Sequence, residues 1–414
     1  MHKISLVGIL TICTSLIAQS SDEFQRGACF DAGLQPNIRI WSDAEYLLWW
    51  SRKAPLPVPL VTTGSLDDLV PAALDQPNTH TLFGNGSLEN KMQSGFRLAA
   101  RYWLGNRNNY AIEGTGFYLP KLTNCNFSKS SDSTSGLPIL GIPFFNAAKL
   151  PLPASSGGWI LIDNAGETAL LASNGTSNFG NIYIYSSSKL WDIELNGIFN
   201  FWSRKNSRLS ALIGALYTDL SETLNLDYFT QQVGFPNGIF RSTSIADQFS
   251  TKNQFYGGQL GIRAEWSKKW FFVNFLGKIA IGNMNEKVQI NGSFVDSNPI
   301  AYFHYGHGSS GIFAQPTNIG SHVKNQLAFI PQITARIGVN LIKELRLSTG
   351  YDFFLMSSVV RPGNEIDRSI NETQAGPGPS GTKPTLTGKP LPKKQMDSTV
   401  YWAQGLNIGL EFRF

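Results

Sequence analysis

Residues 189 to 202 read KLWDIELNGIFNFW, with Trp191, Ile193, Leu195, Gly197, Phe199 and Phe201 at odd positions and Asp192, Glu194, Asn196 and Asn200 between them. Period-two alternation places one set on each face of an extended strand. The same pattern recurs along the chain. Ile38, Ile40, Ala44, Tyr46 and Leu48 oppose Arg39, Asp43 and Glu45, and Phe96, Leu98, Ala100 and Tyr102 oppose Arg97 and Arg101. Tyr256, Leu260, Ile262 and Trp266 oppose Gln259, Arg263 and Glu265. Phe271 to Ile281 alternates with Asn274 and Lys278, although Phe272 and Leu276 interrupt the apolar set. Further stripes run through 327–339, 345–353 and 406–414, and residues 207–230 read as one strand that projects past a bilayer.

A soluble sandwich also hides one face and wets the other. Three features favour a membrane barrel instead. The stripes run longer than the usual strand of about five or six residues, and a tilted membrane strand needs about 9 to 11. The spacers alternate: GNRN (105–108), SRKN (203–206), SKK (267–269) and the Ile342-Lys343-Glu344 corner are short. Those at 51–93, 120–186, 231–252, 284–325 and 359–398 are long. Short turns at one end and long loops at the other are the outer-membrane pattern. Trp49, Trp50, Trp103, Trp202, Trp266, Trp270 and Trp402 lie near strand ends, where interfacial aromatics gather. The expectation is an all-β, antiparallel transmembrane barrel of ten strands. A hairpin of 286–294 with 310–315 would make twelve.

In AEYLLWWSRKAPLPVPLVTTG (44–64), Trp49 and Trp50 then mark the outer interface. Pro55, Pro57 and Pro59 remove three ladder donors and predict an unpaired chain beyond it.

Composition agrees. Charged residues are 15% of the 414, against about 25% in soluble domains. His2 and Lys3, an apolar run to Ala18 and the small residues before Ser21 read as a signal peptide over 1–20. A periplasmic segment, 21–37, and a barrel with surface loops, 38–414, complete the expected organisation. Loss of Lys3 lowers the net charge from +5 to +4, too little and too dispersed for nucleic acid. Cys29 and Cys125 permit one disulfide without implying it. No cofactor motif is present, since Gly257-Gly258 is followed by no helix. His304 and His307 lack a clear third ligand, and no histidine falls within the expected membrane strands to serve a hydrolase. No catalytic, metal or cofactor residue is assigned, and an enzyme is not expected.

The inward set holds Arg39, Arg97, Arg101, Arg263, Lys278, Arg336, Arg346 and Arg413, balanced by Asp43, Glu45, Glu113, Asp192, Glu194, Glu265, Asp352 and Glu411. A balanced set predicts a paired network filling the lumen, whereas a ring of one sign would select ions.

The last strand carries Asn407, Gly409, Phe412 and the terminal Phe414. It resembles the assembly signal that barrel-insertion machinery reads. With SGFRLAARYWLGNRNNYAIEGTGFYL (94–119), PFFNA (143–147), DQFSTKNQFYGGQLGIRAE (247–265), TNIG (317–320), GYDFFLMSSVVRPGNEIDRSIN (350–371) and YWAQGLNIGLEFRF (401–414), the chain resembles the beta-barrel porin type 7 family. The resemblance implies location in the outer membrane of a bacterium with two membranes and carries no functional residue with it. The partners expected are outer-membrane lipid, the assembly machinery, and small solutes or an extracellular polymer. Two functions stay open: a porin-like or structural envelope protein, and a surface-binding module anchored by a closed barrel. A soluble exported sandwich is the third class, separable by fractionation.

Overall fold

Ile193 and Leu195 are 58% and 61% exposed, while Asp192 and Glu194 are each 4% exposed. This inverts the soluble rule that charge lies outside, and it requires a solvent more apolar than the protein interior.

The computed structural model describes residues 39–104, 109–147, 165–233, 240–296, 306–374 and 386–414. The first half supplies β1 (Ile40–Ser51), β2 (Ala54–Thr63), β3 (His80–Leu88), β4 (Gln93–Leu104), β5 (Tyr110–Ser130), β6 (Leu140–Asn146), β7 (Gly166–Ser173) and β8 (Asn178–Arg204). The second half supplies β9 (Ser207–Val233), β10 (Phe240–Lys268), β11 (Phe271–Asp296), β12 (Gly306–Gly308), β13 (Gly320–Asn340), β14 (Leu345–Val360), β15 (Ser369–Ile370) and β16 (Ser398–Arg413). The proposed signal peptide, the 21–37 segment, Cys29 and His304 fall outside the described residues.

Ten strands close a ring in the order β10-β9-β8-β5-β4-β1-β16-β14-β13-β11, and β11 pairs back onto β10. Every ring pairing is antiparallel, so no edge is left for lipid to meet. No described helix is long and apolar enough to cross a membrane; the strands cross it. The short connections 205–206, 269–270 and 341–344 lie at one end with the closing seam, where Arg39 N–H donates to the Phe414 carbonyl at 2.8 Å.

The twelve-strand alternative is not what forms. Residues 286–294 continue β11, the three-residue β12 pairs with its tip outside the ring, and 310–315 contain no strand. The long spacers are also shorter than the sequence indicates. Strands β8 and β9 each run 27 residues and β10 runs 29, more than twice the roughly 9 to 11 that cross a bilayer. Much of 120–186, 231–252 and 284–325 is therefore strand overhanging the membrane.

Above the barrel a second sheet runs β15-β6-β2-β3, with β7 on β6. Its strand β2 corrects the reading of the proline stretch. Residues 54–63 pair antiparallel with β3, with register shifts around Pro59. Proline lacks only the N–H, and alternate residues present their nitrogens to the same edge, so the carbonyls stay available. Leu56, Leu60 and Val61 of β2 bury against Leu140 and Ile142 of β6 and against Ile182, Ile184, Leu224 and Leu226 of the overhanging strands. The long connections thus fold into a head with its own core.

Candidate functional site in the barrel interior

Inward polar side chains meet across the lumen. Arg263 of β10 donates to both oxygens of Glu113 on β5, at 2.9 and 2.8 Å, and Arg101 of β4 reaches the same carboxylate at 2.8 Å. Lys278 of β11 lies 2.6 Å from Glu194 Oε1 on β8, and Gln259 and Asn196 donate to Glu194 Oε2. Arg97 of β4 bridges Glu45 at 2.8 Å and Asp352 of β14 at 3.1 Å. Trp49, Asn407 and Thr334 complete the shell of Asp352. Arg336 of β13 contacts Glu45 and Asp43 on β1. Glu265 of β10 receives Arg346 of β14 at 2.8 Å and Arg413 of β16 at 3.3 Å, and both cations also contact Glu411. Asp192 accepts the Phe117 N–H at 3.0 Å.

The pairs Arg263–Glu113, Lys278–Glu194, Arg97–Asp352, Arg336–Glu45 and Arg346–Glu265 each skip two intervening strands of the ring. They are chords through the interior, not links along the wall. Pairing offsets the desolvation that a lone buried charge would cost.

An apolar layer lies beside these chords. Leu47, Trp49, Phe117, Leu190, Leu216, Phe255, Met284, Ile330, Phe354 and Tyr401 belong to one buried cluster that draws on nine of the ten ring strands. A smaller cluster at the short-turn end contains Trp41, Trp103, Ile198 and Leu212. Phe272 and Leu276, the exceptions to alternation on β11, point inward for this reason: Phe272 lies under the Arg346 guanidinium at 4.5 Å, and Leu276 packs on the lower cluster.

At the top, the chain leaving β14 turns across the mouth. Arg361 is fully buried, pairs with Glu222 of β9 and stacks on Tyr401 at 5.2 Å. Asn253 of β10 clamps Val360: its side-chain N–H donates to the Val360 carbonyl at 3.0 Å and its side-chain oxygen accepts the Val360 N–H at 2.8 Å. The strap continues to β15, and Arg368 contacts Glu167 at 2.7 Å. Asp247 accepts the N–H groups of Ile312, Phe313 and Ala314 at 2.9 to 3.1 Å, tying 310–315 to β10. Among the described residues no group of three or more His, Cys, Asp or Glu side chains is placed to hold a metal ion.

A sequence profile described as "Putative beta barrel porin-7 (BBP7)" matches residues 41–414. The chain belongs to that family. It is an outer-membrane β-barrel protein. No curated protein matches it. Among solved structures it is similar to the outer membrane protease OmpT of Escherichia coli, at 10% identity over 92% of this chain and 98% of that one, with a TM-score of 0.38. It is also similar to a FadL homologue of Pseudomonas aeruginosa, at 7% identity over 91% and 90% with a TM-score of 0.23. An anion-selective porin of Comamonas acidovorans matches at 10% identity over 91% and 99%, with a TM-score of 0.19.

Two tryptophans do not lie where their position near strand ends places them, and one arginine does not lie where the alternation places it. Trp49 and Trp103 are buried inside the barrel: Trp49 donates to Asp352 at 3.3 Å, and Trp103 packs edge-on against Trp41 with centroids 5.8 Å apart. Both lie in phase with inward neighbours, which position near a strand end does not reveal. Arg39 is exposed at the rim before β1 begins. Trp202 and Trp266 are exposed on the outer wall, Trp270 is exposed in the short turn between β10 and β11, Trp50 packs on Tyr351, and Trp402 is half-buried on the outward phase of β16. On β16, Asn407 and Gly409 face inward, Phe412 is half-buried on the outer wall and Phe414 is exposed.

Arg361, Glu222, Asp247 and Asn253 escaped the sequence reading. For β10 a signal existed: the odd positions that carry Glu265, Arg263 and Gln259 continue through Phe255 and Asn253 to Asp247, with only Gly261 and Gly257 half-buried among them. Arg361 had none, since Pro362-Gly363 after it reads as a turn.

Proposed function

We propose that this protein is a closed outer-membrane barrel that anchors a folded extracellular head, and that its specific interactions take place on that head. The observation carrying this reading is the set of chords through the lumen, stacked against an apolar layer drawn from nine strands. A barrel of eight strands has room only for side chains, while 16 to 18 leave a channel; ten lies near the filled end. The strap through Arg361 adds a second seal at the mouth. The head is the surface for an extracellular polymer, the wall for lipid, and β16 with Phe414 the segment read by the assembly machinery.

Passage of small solutes is the second reading, favoured by the family's description. Planar-bilayer recording separates the two. Folded protein that inserts without conductance steps supports the anchor, and steady open-channel steps overturn it.

A further inference from the structure

We propose that the outer wall carries a site for an anionic lipid, with its phosphate on a row of outward lysines and an acyl chain in the groove beneath them. The groove, about 1380 Å³, crosses β16, β1, β4, β5, β8, β9 and β10. Phe96, Leu98, Ile193 and Leu195 beside it are strongly exposed, so it opens toward the membrane. Its floor is made of small residues: Ala44, Ala100, Gly114 and Ala215. A Cβ built on Gly114 would meet nothing within 4 Å. Aromatic pairs form its upper flanks: Phe96 with Tyr118, centroids 5.7 Å apart, and Trp191 with Tyr217, 5.2 Å apart. A smooth apolar trough between rings fits a flexible hydrocarbon chain by dispersion contact.

The upper end of this trough is cationic. Lys189 Nζ lies 5.4 Å from the Tyr118 ring centroid, two residues above Trp191. Strand register then places Lys189 opposite Ser221, Ser221 opposite Lys252, and Lys252 opposite Lys287. All three lysines take the outward phase, and Lys252 and Lys287 are exposed. One carboxylate lies among them: Asp219 accepts from Ser221 at 2.7 Å and Gln254 at 3.2 Å and is 3.4 Å from Lys252. Three cations against one anion leave the row positive. With strands about 4.8 Å apart, Lys189 and Lys252 start about 10 Å apart, so their flexible stems converge on a single phosphorylated headgroup. A twofold dimer across this face would set like charges against each other, which favours lipid over a second copy.

The test uses the full-length protein in zwitterionic detergent, titrated separately with brominated phosphatidylglycerol and brominated phosphatidylcholine while tryptophan quenching is read. Trp191→Phe identifies the component arising at the groove. The native protein is expected to prefer the anionic lipid by about 25-fold, since each lysine near such a surface contributes about fivefold and Asp219 offsets one of the three. The triple variant Lys189→Gln, Lys252→Gln, Lys287→Gln is expected to lose most of the preference. Gly114→Leu fills the floor and should weaken quenching by both lipids while leaving their ratio unchanged. Heat-dependent gel mobility confirms folding of each variant. Equal quenching by the two lipids in the native protein, an unchanged preference in the triple variant, or cross-linked dimers without headgroup preference would each overturn the proposal.

Discussion

Both oxygens of Glu113 on β5 accept hydrogen bonds from the guanidinium of Arg263 on β10, at 2.8 and 2.9 Å, with β8 and β9 lying between the two strands. Arg101 shares the same carboxylate, so this one anion holds two cations inside the barrel. Glu113→Ala leaves both without their partner. Removing one member of a buried ionic cluster costs about 3–5 kcal/mol. Urea unfolding in micelles, followed by gel mobility, should show a loss of that size. A change below about 1 kcal/mol, the range of exposed pairs, would mean that water fills this part of the lumen.

Trp49 lies inside the barrel, against Phe117 with centroids 4.9 Å apart. Trp49→Ala should therefore cost about 3–5 kcal/mol, as for a core aromatic. Trp270→Ala, on an exposed ring at the short-turn rim, should cost far less. Among single-tryptophan variants, brominated lipid should quench Trp270 and spare Trp49. Strong quenching of Trp49 would return it to the membrane interface.

Glycines separate the tight wall from the open one. A Cβ on Gly257 would lie 2.4 Å from the Ile281 carbonyl oxygen and 2.7 Å from Gly282 Cα. The backbone cannot yield there as a flexible side chain could, so Gly257→Ala is expected to lower the unfolding temperature markedly. Gly114→Ala, with open space at the same test, should leave it nearly unchanged. Equal effects would be inconsistent with this close approach of β10 and β11.

The strap over the mouth should respond to pH. Burial pushes the Glu365 carboxyl up to about 8 from 4.5; Asp397 and Glu286 add to the rise, and Lys324 opposes it. Burial likewise raises Glu372 to about 7, against a hydrogen bond from Asn146. Both groups hold protons more tightly folded than unfolded. Their stabilising contribution is complete below about 4.5 and is lost as pH rises through 7 and 8. Amide exchange over 361–374 is expected to speed up between pH 6 and pH 9 beyond the intrinsic chemical rate. Glu365→Gln should flatten most of that dependence; an unaltered profile in this variant would remove Glu365 from the explanation.

Much of this architecture is legible in the amino-acid sequence. Ten strands, their antiparallel order and the inward phase of Glu113, Asp192 and Glu194 follow from alternation and spacer length. What escapes is of two kinds. Position near a strand end does not say whether a tryptophan faces lipid or lumen; Trp49 and Trp103 follow the odd, inward phase of Glu45 and Arg101 instead. Nor does low charge with many Pro, Ser and Gly say whether a connection stays open or folds, hence β2 and the Arg361 strap.

The sequence by itself determined that one face of each strand is apolar and the other polar, because side chains alternate with a period fixed by backbone geometry. Only the tertiary structure decided which charges meet, since Arg263 and Glu113 lie 150 residues apart and become neighbours through ring closure and register. The filling of the lumen is likewise a property of ten walls facing one another at a fixed radius, a distance that no single strand encodes.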